Sequence, residues 1–89
     1  MQPVQNMRAG HIITFYALLK DIPGVLSNYL SIFAGSGANI LTINQTIPTG
    51  GLATVTISAE TSDLQCPVEE LLKRLANIDS VIRAEILAG

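Results

Sequence analysis

The segment KDIPGVLSNYL, residues 20–30, contains the corner at which a predicted strand turns into a predicted helix. An alternating apolar run ends at Lys20, and apolar residues spaced three and four apart begin after Gly24. Pro23 fixes its own φ and has no N–H, and Gly24 lets the backbone turn sharply or approach a neighbour closely. The sequence therefore predicts a strand-to-helix corner here, with the carboxylate of Asp21 beside it.

This corner also has the chemistry of a small binding site. The first backbone N–H groups of the helix, near Gly24, Val25 and Leu26, have no intrahelical acceptor, and the positive end of the helix dipole lies there. Such a helix start can hold a carboxylate, while the side chain of Asp21 can hold an ammonium group. The pair suits a zwitterion such as an amino acid. The alternative is turn chemistry alone, in which Asp21 caps the helix and the Pro-Gly pair makes the turn.

Hydrophobic periodicity outward from the corner predicts six elements in the order β-α-β-β-α-β. The predicted strands and helices are residues 11–20, 24–37, 39–47, 52–59, 67–77 and 81–88. The turn PTGG at 48–51 joins the second and third strands into an antiparallel hairpin. This order is that of an α+β, ferredoxin-like sandwich, a four-stranded antiparallel sheet with two helices on one face. Residues 1–10 show no period and predict a tail or linker, so the domain is expected to occupy residues 11–89.

The same patterns predict which side chains fill the core. The first helix has an apolar stripe formed by Leu26, Tyr29, Leu30, Phe33 and Ala34, and Gly35 and Gly37 are expected to end that helix. In the strands, alternation assigns to the helix-facing side Ile13, Phe15, Ala17, Leu19, Leu41, Ile43, Ile47, Ala53, Val55, Ile57, Ala59, Ile82, Ala84 and Ile86. The other side collects Thr14, Tyr16, Thr42, Asn44, Thr54, Thr56 and Arg83, mixed with the apolar Ile12, Leu18, Ile40 and Leu52.

Composition excludes several classes of protein. Apolar residues make up 48% of the 89 residues and charged residues 13%, which predicts a folded domain with apolar surface left for a partner chain or a neighbouring domain. Net charge is −2 with five scattered Lys and Arg, and nucleic-acid binding needs a positive footprint. The single cysteine favours a reducing cytoplasm, and no apolar run approaches the about 20 residues of a membrane span.

Catalytic and metal-binding patterns are not found in the sequence. His11 is the only histidine and stands at the start of a strand, and Cys66 precedes Pro67 at a helix start. The acids do not pair by spacing into a general acid and base, and no His/Cys cluster or Gly-rich nucleotide loop occurs. We therefore expect no catalytic residue, no metal site and no cofactor.

The run DIPGVLSNYLSIFAGSGANILTINQTIP resembles the ACT domain, a small regulatory module of amino-acid metabolism. The resemblance rests on Asp21, the pair Pro23-Gly24, the pair Val25-Leu26, and Gly37 with Asn39 and Ile40, and it extends over about residues 11–88. The shorter run ILTINQTIP resembles PheB-like ACT proteins, which are also described as chorismate-mutase-like.

The resemblance implies a ferredoxin-like domain that pairs into dimers or higher oligomers, commonly as one eight-stranded sheet. It also implies an amino-acid site between the strand-one corner of one chain and the strand-two start of its partner. By position, this site comprises Asp21, Ile22, Pro23, Gly24, Val25, Leu26 and Asn39. Some serine-binding members have a histidine where this chain has Leu19, so serine is not the expected ligand.

Three functions follow as expectations. The first is a non-catalytic regulatory module that dimerises and binds a small amino acid. The second is an enzyme related to chorismate mutase. The dianionic transition state of that reaction needs several convergent cations, whereas the five Lys and Arg residues of this chain are scattered along the sequence. The third is a structural dimerisation module. RNA binding by this fold needs paired aromatic residues on the central strands, and Phe15 and Tyr16 lie on opposite faces.

Overall fold

The computed structural model describes residues 11–46 and 49–88. The predicted tail 1–10, the predicted strand and turn residues Ile47 and Pro48, and Gly89 lie outside the described residues. The elements in chain order are β1 (Ile12–Lys20), α1 (Val25–Gly35), β2 (Asn39–Gln45), β3 (Leu52–Glu60), α2 (Val68–Ala76) and β4 (Val81–Ala88). Within this part of the chain the strands form one antiparallel sheet in the order β2-β3-β1-β4. The predicted ferredoxin-like α+β fold is confirmed.

The core lies between the sheet and the two helices. The two central strands supply one row each: Phe15 faces Ile57 and Ala17 faces Val55 across the β1–β3 ladder, and all four are fully buried. The Phe15 ring meets Phe33 edge to face, with ring centroids 5.1 Å apart, a geometry that aromatic quadrupoles favour. The opposite side of the sheet, called the open face below, carries Thr14, Tyr16, Leu18, Thr54, Thr56, Arg83 and Glu85.

Helix α1 turns a different stripe to the core from the one predicted. Its buried residues are Val25, Tyr29 and Phe33, whereas Leu26 and Leu30 are only partly buried at the edge of the core and Ala34 is exposed. Residues spaced by four still share one helix face. The predicted stripe omitted Val25, which is on the buried face, and was therefore displaced by one residue towards the C-terminus of the helix.

Helix α1 ends in a Schellman motif at Gly37. The Ala38 N–H donates to Phe33 O and the Gly37 N–H donates to Ala34 O, the two bonds that define this stop. Gly37 has φ +88°, and a Cβ atom there would lie 2.5 Å from Asp63 O. Gly35 is the last helical residue, with a φ outside the left-handed region, so Gly37 alone makes the predicted glycine stop.

Strand β2 departs from simple alternation. Ile40 faces Ala59 and packs against the core, and a register shift follows between Ile40 and Thr42. Leu41 is the extra residue of this bulge and is 46% exposed. The prediction that Ile40 lies on the open face and Leu41 in the core was therefore wrong, because one extra residue reverses the faces.

Strand β4 has the same kind of irregularity at two points. Val81, not Ile82, faces Leu19 and is buried, and Ile82 is the extra residue at a register shift, 51% exposed. The predicted core position of Ile82 was wrong for the same reason as that of Leu41. A second shift makes Leu87 the extra residue near the end of β4.

The hairpin turn between β2 and β3 lies at the same end of the sheet as the strand-to-helix corner. Thr49 and Leu52 exchange backbone hydrogen bonds around Gly50 and Gly51, which both have positive φ, as two-residue hairpin turns of this type require. The N–H of Asp21 donates to Gly51 O at 2.8 Å. Among the helices of the described residues, none is long and apolar enough to cross a membrane.

Candidate functional site

The corner between β1 and α1 is a tight turn held by backbone hydrogen bonds. The Ile22 N–H donates to Lys20 O at 2.9 Å, and the Val25 N–H donates to Ile22 O at 3.2 Å. Gly24 precedes the helix with φ 87°, in the left-handed region where a side chain is disfavoured. Of the amides expected to be free, that of Val25 is therefore occupied within the turn.

Other amides at this helix start stay available. Within residues 11–46 and 49–88, no oxygen accepts a hydrogen bond from the N–H of Gly24, Leu26 or Ser27. The Asn28 N–H donates to Gly24 O at 3.0 Å and so makes the first four-residue helical hydrogen bond of α1. Three donors without an acceptor in the described residues thus lie at the positive end of the helix dipole, where a carboxylate can bind.

The carboxylate of Asp21 is exposed beside these donors and is not a helix cap. Helix α1 has no side-chain cap and no acidic residue in its first turn. In the described structure, no residue pairs with the Asp21 side chain, although its backbone N–H is bonded to Gly51. The interpretation in which Asp21 merely caps the helix does not agree with this geometry.

The other predicted residues of the corner divide into anchors and surface. Val25 is buried, 6% exposed, and Leu26 packs against the core, so their side chains hold the helix start in place. Ile22 is 49% exposed and Pro23 is also exposed. A ligand at the corner would therefore meet backbone N–H groups, the Asp21 carboxylate and the apolar side chain of Ile22.

Asn39 lies at the opposite end of the sheet. It faces Glu60 at the end of β3, whereas Lys20, just before Asp21, faces Leu52 at the start of β3. β3 has nine residues, which span about 26 Å at about 3.3 Å per residue. One chain therefore does not bring Asp21 and Asn39 into one site.

A cavity that the sequence did not reveal opens on the sheet near the hairpin turn. It has a volume of about 280 Å³ and is lined by Leu18, Thr46, Thr49, Leu52, Ala53 and Thr54. Thr46 Oγ1 accepts hydrogen bonds from the Thr54 N–H at 3.0 Å and from the Thr54 hydroxyl at 2.9 Å. The sequence shows threonines in both arms of the hairpin, but which of them face each other depends on the register of β2 against β3.

Catalytic and metal-binding arrangements are not found in the part of the chain that the structure describes. No group of three His, Cys, Asp or Glu residues there is placed to hold a metal. The Arg74 guanidinium pairs with Glu70 at 2.7 Å on α2, and Arg83 lies 4.0 Å from Glu85 on β4. These cations and Lys20 lie on different elements and do not converge.

Curated relatives match nearly the whole chain. A UPF0735 ACT domain-containing protein of Caldicellulosiruptor saccharolyticus is 53% identical over 85 residues, covering 96% of this chain and 57% of the relative. A protein of the same description from Carboxydothermus hydrogenoformans is 42% identical, covering 96% of this chain and 58% of the relative. The chain therefore spans less than three fifths of the length of these relatives. No family model matches the chain.

Solved structures share the fold. The ACT domain of a GTP pyrophosphokinase from Chlorobium tepidum superposes with TM-score 0.69 at 17% identity, covering 85% of this chain and 96% of that one. The regulatory subunit of an aspartate kinase from Thermus thermophilus gives 0.68 at 16% identity, covering 85% and 50%. The small subunit of an acetolactate synthase from Thermotoga maritima gives 0.69 at 21%, covering 85% and 47%. Sequence similarity to ACT domain-containing proteins and the shared ACT fold together support assignment of this chain to the ACT domain family.

Proposed function

We propose that this chain is a non-catalytic regulatory module that dimerises and binds a small amino acid at the interface between two copies. The observation that carries the proposal is the corner at the start of α1. The unoccupied N–H groups of Gly24, Leu26 and Ser27 suit the carboxylate of the amino acid, and the exposed carboxylate of Asp21 suits its ammonium group. Both charges of a zwitterion thus have a partner at one corner.

The second half of the proposed site comes from a second chain. Asp21 and Asn39 lie at opposite ends of one sheet, but a two-fold axis that pairs two β2 edges antiparallel reverses one chain relative to the other. Asn39 of one copy then lies at the end of the joint sheet where the other copy has its corner. Strand β2 suits this pairing, because its exposed edge carries Leu41 and Ile43 and no charged residue, and edges kept apart usually carry charges.

The regulatory part of the proposal rests on the neighbours and on the length of the relatives. An aspartate kinase contributes a regulatory subunit with this fold and an acetolactate synthase its small subunit, and both enzyme names belong to amino-acid metabolism. The chain covers only 57% of its relative from C. saccharolyticus. We propose that ligand binding here regulates an activity in the cytoplasm that another protein segment or another subunit carries.

Ligand binding is tested directly with the twenty amino acids. Each is added at millimolar concentration, and binding is followed by calorimetry and by the melting temperature. A ligand that binds only the folded chain stabilises it by RT ln(1 + [L]/Kd), about 2.7 kcal/mol at a hundredfold excess over Kd. If no amino acid shifts the melting temperature, the ligand part of the proposal is wrong and a structural dimerisation module is the better description.

Variants then locate the site. We expect Asp21→Ala and Asn39→Ala each to weaken binding by tenfold or more, because a charge-assisted hydrogen bond contributes about 1.5–3 kcal/mol. Glu69→Ala is the matched control, since Glu69 is an exposed acid in the first turn of α2, a helix that packs beside β4. Equal weakening by all three variants would place the ligand elsewhere.

Chorismate mutase activity, connected with the PheB-like resemblance, is tested separately by adding chorismate to the pure protein. The cations of the described residues are spread over β1, α2 and β4, whereas stabilising a dianionic transition state requires convergent positive charges. We expect no turnover above the uncatalysed rate. Turnover that Asp21→Ala leaves unchanged would identify an enzyme and overturn the regulatory proposal.

A further inference from the structure

Strand β4 forms the second edge of the sheet, and its outward backbone groups can be assigned from the ladder. His11 O accepts from the Thr61 N–H, and the Asp21 N–H donates to Gly51 O, so odd-numbered residues of β1 bond towards β3. The Lys20 N–H instead donates to Ser80 O, so even-numbered residues bond towards β4. Because bonded and non-bonded pairs alternate in antiparallel ladders, Ala84, opposite Ala17, directs its N–H and C=O to the free edge.

The side chains around Ala84 form a self-complementary pattern. Arg83 and Glu85 stand on either side of it on the open face, opposite Leu18 and Tyr16. Their side chains are 63% and 46% exposed, and their charged atoms are 4.0 Å apart. Further out along the strand, Ile82 and Ile86 are 51% and 40% exposed. A basic and an acidic residue are thus symmetric about the free backbone groups of one alanine.

We propose that the β4 edge binds the β4 edge of a second copy of this chain, antiparallel, with the two-fold axis at Ala84. This pairing lets the two Ala84 residues exchange N–H to O hydrogen bonds. It places Arg83 of each copy opposite Glu85 of the other, twice, and Ile82 opposite Ile86. Opposite charges directly across strands stabilise a pair and like charges destabilise it. A parallel pairing in this register would instead put Arg83 against Arg83.

This contact does not depend on the amino-acid site proposed above, which uses the β2 edge and the corner. The two edges lie on opposite sides of the sheet, so one copy can use both at once. Two different two-fold contacts on one chain build assemblies larger than a dimer. Blocking one edge is therefore expected to leave a dimer, and blocking both to leave a monomer.

The test uses charge reversal in a chain whose β2 edge is blocked by Leu41→Lys. Leu41 is exposed on that edge, and lysines on edge strands keep sheets from pairing. Mass is followed by sedimentation velocity against concentration. We expect Arg83→Glu and Glu85→Arg each to raise the dimer dissociation constant about tenfold or more, because both cross-strand pairs become like-charged. The double variant Arg83→Glu/Glu85→Arg restores the original constant.

A mixture gives the sharpest result. Arg83→Glu has an acidic edge and Glu85→Arg a basic one, so we expect the one-to-one mixture to dimerise although neither variant does alone. Lys73→Glu, an exposed change on α2, is the matched charge control and leaves association unchanged. A monomeric Leu41→Lys chain, or a dimer indifferent to Arg83→Glu, overturns the proposal. If Leu41→Lys does not fold, the same cycle in the unmodified chain must lower the assembly to a dimer.

Discussion

Tyr29 combines full burial with an unsatisfied polar atom. Its side chain is completely buried and packs against Phe33 with ring centroids 5.4 Å apart. Its hydroxyl is the buried side-chain polar atom for which the described residues offer no hydrogen-bond partner. A buried hydroxyl without a partner costs about 1–3 kcal/mol of desolvation. The ring stabilises the core, and the hydroxyl opposes it.

The first prediction is that Tyr29→Phe stabilises the fold. The substitution keeps the ring and removes the unpaired hydroxyl, so we expect the free energy of unfolding to rise by about 1 kcal/mol. Urea denaturation measures this change, with Tyr16→Phe on the half-buried open face as the control near zero. A loss of more than about 1 kcal/mol would show that the Tyr29 hydroxyl has a partner, such as a buried water.

The second prediction concerns alkaline pH. Burial raises the pKa of Tyr29 well above its usual range, while in the unfolded chain the pKa is about 10. The unfolded state therefore loses this proton first, and stability falls as pH rises above about 10. We expect the melting temperature of Tyr29→Phe to fall less between pH 9 and about 11 than that of the unmodified chain. Tyr16→Phe should keep the unmodified slope; parallel slopes for all three proteins would contradict the assignment.

At the scale of elements, the boundary between α1 and β2 depends on Gly37. A side chain there is disfavoured by the φ of +88° and would bring Cβ within 2.5 Å of Asp63 O. We expect Gly37→Ala to lower the free energy of unfolding by about 2 kcal/mol or more, combining backbone strain with the clash. The measurement is urea denaturation monitored by circular dichroism.

Gly35→Ala is the matched control for this third prediction. Gly35 ends α1 with a φ outside the left-handed region, and a Cβ there would meet nothing within 4 Å. Alanine is the better helix former, so we expect stability to be unchanged or to rise by up to about 1 kcal/mol. If both variants destabilise equally, the chain around Asp63 moves aside and the Schellman stop is not required.

The elements were largely predictable from sequence, and so were the faces of β1 and β3, but the faces of β2 and β4 were predictable only in part. Periodicity fixed the order and the approximate bounds, because strands repeat every two residues and helices every 3.6. The errors at Leu41 and Ile82 share one cause: each is an extra residue at a register shift. Whether a strand bulges depends on its neighbour in the sheet, and alternation within one strand carries no such information.

The candidate site was predictable only in part for a related reason. Asp21, Pro23 and Gly24 are adjacent in the chain, so their corner can be found from the sequence. The state of each amide depends on distant residues, as when Gly51 accepts from the Asp21 N–H. The separation of Asp21 from Asn39 follows from the antiparallel ladder through β3, which no local pattern encodes.

At the scale of the whole molecule, the described residues form a sheet with one helix-covered face and two edges that carry exposed apolar residues. The β2 edge carries Leu41 and Ile43, and the β4 edge carries Ile82 and Ile86. Natural proteins usually protect such edges. Under the proposals above, the two edges have different roles. Pairing of β2 brings Asn39 of a second copy to the ligand corner, and pairing of β4 enlarges the assembly without contact to the ligand. Blocking the β2 edge should therefore weaken ligand binding, whereas blocking the β4 edge should leave it unchanged.

The last prediction uses this separation. If an amino acid contacts Asp21 of one copy and Asn39 of another, ligand affinity and dimer affinity must rise together, because the coupling between two binding events is reciprocal. We expect Leu41→Lys on β2 to weaken amino-acid binding about tenfold or more at micromolar protein, although Leu41 is not assigned to the ligand site. Arg83→Glu on β4 should leave the same binding isotherm unchanged. Equal ligand affinity in the Leu41→Lys chain and in the unmodified chain would mean that the corner of a single chain holds the ligand alone.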